Sequence, residues 1–206
     1  FDSSSDSRHF PKRTIIDNGP IRSIQEREIN HISLSYMWLT WANALSASRV
    51  VMAPFAALCI SSNFWPLAGL IFFAAVLTDL IDGPLARRRG EATTVGAIVD
   101  HGADAFFVIV ILATLAAQKI FTPLLPCAVG LAFLHYVFGS GAHKKHPLKA
   151  SRLGRYNGIS YFVLAGIPVT QNALGLSWVP SWVISYGAWV LIVSTVISIA
   201  DRLRSS

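Results

Sequence analysis

The sequence predicts an all-α integral membrane protein, a six-transmembrane-helix bundle with a cytoplasm-facing polar cleft. Three observations carry that prediction. Only 14% of the 206 residues are charged while 53% are hydrophobic, against roughly 25% charged in soluble domains. The charges are bunched, which leaves long stretches almost free of them. The basic residues fall on alternate connections between those stretches, the arrangement expected when cytoplasmic loops retain Lys and Arg.

Residues 1–35 are polar and mixed in charge, and their opening, FDSSSDSRHF, has a disordered composition. Residues 15–32 fit either a solvated tail or an amphipathic helix on the membrane surface. In the second case Ile21, Ile24 and Ile32 are the apolar anchors and Pro20 sits in the first turn. No short apolar run precedes a cleavage site, so no signal peptide is expected. Residues 36–206 form one domain whose spans are expected at 39–61, 65–87, 94–118, 121–140, 157–175 and 178–200. Each has, or nearly has, the ~20 residues that cross a bilayer. The fifth is diluted at its ends by Asn157, Gln171 and Asn172. Cys59 and Cys127 lie in apolar runs without metal-ligand spacing, which predicts buried free thiols.

Placing the N-terminus in the cytoplasm puts 88–93, 141–156 and 201–206 there as well, with Arg88, Arg89, Lys144, Lys145, Lys149, Arg152, Arg155, Arg202 and Arg204. The opposite connections hold only Lys119. This asymmetry orients the bundle. It also accounts for the net charge of +6 without a nucleic-acid partner.

Asp79, Asp82, Asp100 and Asp104 lie inside otherwise apolar spans, where a carboxylate is costly and marks function by default. Asp79, Asp82, Gly83, Ala86 and Arg87 fall at i, i+3, i+4, i+7 and i+8, one helical face. Gly96, Asp100 and Asp104 step by four and share another. The two helices are joined by the short loop RRRGEATT, so both faces can line one cavity. At 1.5 Å per residue, Asp79 lies about 12 Å along the helix from Arg87, close to the cytoplasmic surface. Clustered carboxylates suit Mg²⁺ or Mn²⁺, and two such ions can clamp a pyrophosphate. Gly83, Ala86 and Gly96 leave the face without bulk, which admits a nucleotide or, alternatively, close helix packing.

From Asp79 the string reads DLIDGPLARRRGEATTVGAIVDHGAD. It resembles the signature of the CDP-alcohol phosphotransferases, D-x-x-D-G-x-x-A-R, eight residues, then G-x-x-x-D-x-x-x-D, at every fixed position and gap. The resemblance implies that Asp79, Asp82 and Asp100 bind metal. It implies that Asp104 is the base for the acceptor hydroxyl, with a share in the metal, and that Gly83, Ala86, Arg87 and Gly96 line the CDP site. Asn43 to Arg49, NALSASR, is similar to the family's N-x-L-[ST]-x-x-R opening. Asn43 and Arg49 therefore join the CDP group, with Arg49 either holding a phosphate or snorkelling to the interface. Ser151 to Arg155, SRLGR, resembles the small-x-x-G-K/R segment of phosphatidylglycerophosphate synthases. It makes Arg152 and Arg155 candidates for an acceptor phosphate.

Two departures bear on the acceptor. Asp100-His101-Gly102-Ala103-Asp104-Ala105 stands where those synthases carry D-P-x-A-D-K, and Leu134-His135-Tyr136-Val137 replaces an Arg-Glu pair. His101-Gly102 is similar to the D-H-G-x-D form of choline and ethanolamine phosphotransferases. His101 is either a substrate contact or a spectator, and His135 is expected as a packing residue. The resemblance implies a metal-dependent transferase with a CDP-linked lipid donor, by preference CDP-diacylglycerol, and a small alcohol acceptor. Glycerol 3-phosphate is the first choice of acceptor. Inositol phosphate, serine and diacylglycerol are the alternatives, a homodimer is compatible, and a cation transporter is the rival from another class.

Overall fold

The computed structural model describes residues 41–89, 94–139 and 152–205. The expected tail 1–35 and its amphipathic helix lie outside them, as do 90–93 and 140–151. Six helices run in order: α1 Trp41–Ser61, α2 Trp65–Arg89, α3 Thr94–Ala117, α4 Leu124–Gly139, α5 Arg152–Leu174 and α6 Ser181–Ser205. There is no strand among the described residues.

The described turns have local causes. Asn63 ends α1 in the left-handed region (φ 58°) and Gly175 ends α5 in the same way (φ 64°). Lys119 does this after α3 (φ 62°), where Ile120 N–H donates back to Leu115 C=O at 3.0 Å. That bond satisfies a carbonyl the helix end would leave open. Thr122 and Pro123 open α4: Thr122 Oγ1 accepts from Leu124 N–H at 3.4 Å, and proline suits a first helical position. Pro180 does the same for α6, its carbonyl accepting from Val183 and Ile184.

Two boundaries differ from the sequence expectation for a shared reason. α5 begins at Arg152 rather than 157, and α6 runs to Ser205 rather than 200. Hydropathy marks where a helix is apolar, not where its backbone bonds stop, so polar end turns escape it. α4 is short at 16 residues because Thr122-Pro123 starts it late.

α1 packs against α2 and α3, α2 also against α5, α4 against α3 and α6, and α5 against α6. Ala53, Ala56, Ala68 and Ala75 are buried between α1 and its neighbours, the small-residue packing that brings helices close without a bulky core. At the α2–α5 seam a Cβ on Gly69 would stand 2.8 Å from Ala173 Cβ. Phe72, Phe107 and Phe162 fill the centre with ring centroids 5.8–6.5 Å apart.

The outside is as apolar as the inside. Phe55, Leu58, Leu70, Phe73, Trp182 and Tyr186 are all exposed. A large apolar exterior is the surface of a protein that meets lipid rather than water. It also corrects the expectation for the cysteines: Cys59 is half-buried and Cys127 exposed, because an apolar residue of a lipid-facing helix need not turn inward. Among the described residues, three helices are long and apolar enough to cross a membrane, with spans Ala44–Ser61, Gly96–Ala117 and Ser181–Asp201. Trp65–Ile81 and Leu124–Val137 are shorter apolar stretches.

Candidate active site

α1, α2 and α3 bring the charged groups together. Ser46 and Arg49, three residues apart, share a face of α1. Because α1 packs on both neighbours, this face meets Asp79 of α2 and Asp100 and Asp104 of α3. One oxygen of each of these three carboxylates lies within 4.8 Å of the others.

Arg49 reaches all three. Its Nε is 2.8 Å from Asp104 Oδ1 and its Nη1 is 3.7 Å from Asp79 Oδ1, while Nη2 donates to Asp100 Oδ1. Ser46 Oγ donates to the same Asp100 oxygen at 3.0 Å and accepts from Arg49 Nη2 at 3.4 Å. The guanidinium is wholly buried, so Arg49 does not snorkel. The carboxylates differ: their side chains keep 38%, 27% and 21% exposure at Asp79, Asp100 and Asp104. Among the described side chains, one guanidinium faces three carboxylates, a formally anionic set.

The exposed side of the carboxylates opens into a cleft of about 680 Å³ bounded by α2 to α6. Its polar end holds Asp79, Asp100, His101 and Asp104, with Arg155 and Asn157 on the α5 wall. Val76, Val108, Val129, Phe133 and Phe162 make much of the remaining lining apolar. His101 stacks on Tyr136 with centroids 5.9 Å apart, and its Nδ1 is 3.9 Å from Asp100 Oδ2. His135, expected as a packing residue, lines the cleft as well.

Of the four aspartates expected to converge, three do, and the side chain of Asp82 lies outside the described residues. The same holds for the side chains of Asn43, Gly83, Ala86, Arg87 and Arg152, which fall on α1, α2 and α5. Gly96 sits one turn before Asp100 on α3. Sequence reasoning missed Asn157, Tyr161, Thr195 and Ser198, all on the cleft wall. Their signal was present as polar side chains at helical spacing within apolar spans. Tyr161 pairs with Thr195, and Ser194 Oγ donates to Asn157 Oδ1 at 2.7 Å.

The donor set suits a hard divalent cation. It is all oxygen, anionic, gathered within 4.8 Å and open to a cleft. Gln, His or Cys ligands of a softer site are not needed to complete it, because substrate phosphates and water commonly do so for Mg²⁺.

Comparison with known proteins gives the same direction. The sequence profile described as CDP-alcohol phosphatidyltransferase matches residues 39–200, most of the chain. A CDP-diacylglycerol–glycerol-3-phosphate 3-phosphatidyltransferase of Blochmanniella floridana is 38% identical over 68 residues, covering 32% of this chain and 36% of that protein. The protein of that name from Sodalis glossinidius (strain morsitans) is 44% identical over 80 residues, covering 37% and 42%. The chain thus spans less than half the length of the curated relatives it matches. The profile match runs from α1 through almost all of α6 and takes in every carboxylate of the cluster, and with it the chain belongs to the CDP-alcohol phosphatidyltransferase family.

Proposed function

We propose that this integral membrane protein transfers a phosphatidyl group from CDP-diacylglycerol to glycerol 3-phosphate and releases CMP. One observation carries the reading: Asp79, Asp100 and Asp104 converge at the head of a largely apolar cleft whose wall also presents Arg155. Carboxylates, an arginine and an apolar flank are what a diphosphate-linked lipid and a phosphorylated alcohol require together. The names of the two relatives favour the same donor and acceptor.

Asp79, Asp82, Asp100 and Asp104 would hold Mg²⁺ or Mn²⁺, two ions, whose chemistry when bound is to neutralise the pyrophosphate and stabilise the leaving CMP. Asn43, Gly83, Ala86, Arg87 and Gly96 form the CDP end, with Arg49 behind it. Asp104 takes the proton of the acceptor hydroxyl on its carboxylate. The hydroxyl oxygen then forms a bond to the β-phosphorus, the bond from that phosphorus to the CMP oxygen breaks, and its electron pair leaves with CMP. No Ser or Cys lies in the motif, and its one histidine, His101, is stacked on Tyr136, so direct displacement is favoured over a covalent intermediate. Arg155, and Arg152 at the first position of α5, bind the acceptor's phosphate. The apolar lining accommodates the acyl chains.

The same reading makes all six helices spans of one domain, 36–206, with both termini and the cleft mouth on the cytoplasmic side and residues 1–35 as a separate tail. The support is the basic-residue asymmetry: the described turns at the far end carry only Lys119. A homodimer is compatible with this arrangement. A transporter is disfavoured, because the carboxylates gather at one end rather than along a route through the bundle.

The decisive experiment is CMP release by the purified protein from CDP-diacylglycerol with labelled acceptors, in Mn²⁺ and in EDTA. Metal-dependent CMP release with glycerol 3-phosphate is expected. Release only with inositol phosphate, serine or diacylglycerol would move the acceptor, and no release with any alcohol would overturn the enzyme reading.

A further inference from the structure

Arg49 is an unusual residue to bury in a membrane helix. A fully desolvated guanidinium is expensive unless its charge is met, and here the site's own carboxylates meet it. Its contacts run to Oδ1 of Asp79, of Asp100 and of Asp104. The Asp104 oxygen is buried, whereas the Asp104 side chain as a whole keeps 21% exposure and lines the cleft. The contact is therefore made from behind, and the remaining carboxylate surface is left towards the cleft. Ser46, one turn earlier, ties Asp100 into the same cluster.

We propose that Arg49 is a positioning residue, a three-way clamp that holds one oxygen of each carboxylate and so orients the others to coordinate divalent cations in the cleft. This rests on the metal-site reading above. Three carboxylates so close repel one another, and a cation fixed behind them offsets that repulsion without occupying the cleft. The shape of the group matters as well as its charge. A planar guanidinium offers Nε, Nη1 and Nη2 to three partners at once, and a lysine ammonium on its flexible stem does not reproduce that fork. Residues behind metal ligands typically account for 10–100-fold in metal affinity.

The test is Mn²⁺ binding to full-length purified protein in detergent, followed by calorimetry or by loss of the free-ion electron paramagnetic signal, without nucleotide. Arg49→Lys and Arg49→Met should both weaken Mn²⁺ binding by roughly 10–100-fold while helical circular dichroism is retained. Ser46→Ala, which changes no charge, should weaken it by a smaller factor, and it carries the test if the Arg49 variants do not fold. Unchanged or tighter Mn²⁺ binding in the folded Arg49 variants, or in Ser46→Ala where those fail, overturns the clamp. If the Arg49 variants bind Mn²⁺ normally but have a raised KM for the CDP-linked donor, the guanidinium contacts phosphate instead. Failure of the wild-type protein to bind Mn²⁺ removes the metal-site reading itself, and the clamp with it.

Discussion

The two halves of the bundle are built differently. In α1–α3, small residues bring the helices close and the charged groups cluster: Ala53, Ala56 and Ala75 are fully buried, and Arg49 meets Asp79, Asp100 and Asp104. In α4–α6 the paired polar groups Asn157 with Ser194 and Tyr161 with Thr195 are neutral, and Asn157, Tyr161 and Thr195 line the cleft alongside exposed Arg155. The contrast teaches a division of labour. Chemistry that needs exact carboxylate placement sits on tightly packed helices. On the proposed function, recognition of a lipid chain and an alcohol falls to the α4–α6 wall.

Breaking the first half should cost most. Asp104→Asn is expected to lower turnover by roughly 10²–10⁴-fold, the usual worth of a general base, while the CDP-linked donor still binds. CMP release at saturating metal and substrates, together with equilibrium donor binding, checks both parts. Loss of donor binding as well would make coordination the main role of Asp104.

The second half should respond in KM. Arg155→Lys and Arg152→Lys keep the charge that topology needs but lose the planar fork. A hydrogen bond to a charged group is worth about 1.5–3 kcal/mol, so each should raise the acceptor KM roughly tenfold or more and leave the donor KM nearly unchanged. An unchanged acceptor KM in both would transfer the preference to an unphosphorylated alcohol.

The seam between the halves can be probed by stability alone. In Gly69→Ala the new methyl meets Ala173 Cβ at 2.8 Å, and overpacking of this kind costs about 1–3 kcal/mol. Thermal unfolding in detergent should show the loss, and adding Ala173→Gly should recover most of it. Absence of recovery would mean that α2 and α5 are not in contact there.

The smallest effect is expected at His101, whose stack on Tyr136 is worth about 0.5–1.5 kcal/mol. His101→Phe keeps the stack and His101→Ala removes it. Comparable donor and acceptor KM values in the two variants and the wild type would identify His101 as a spectator.

Much of this was legible before any coordinates. The spacing of Asp79 and Asp82, and of Gly96, Asp100 and Asp104, is a property of one helix at a time. The 3.6-residue period is local, so a shared face can be read from the string. The six apolar stretches and the segregation of basic residues are equally local, and all six helices lie where those stretches predicted them to within a few residues. The length of α5 was less legible, because Gly154, Arg155 and Asn157 are polar or small and hydropathy is blind to a polar helical turn.

Which faces meet is set by packing between the helices. That Arg49 would reach Asp100, 51 residues on, and that Thr195 of α6 would share a wall with Asp79 of α2, depends on how each helix is rotated and how closely it approaches its neighbours. Rotation and approach are set by the summed shape of many small contacts, Gly69 on Ala173 and Phe72 among Phe107 and Phe162. No single helix contains that information. The helices, their polar faces and the family signature are local properties of the string; packing brings three of those carboxylates around one buried arginine.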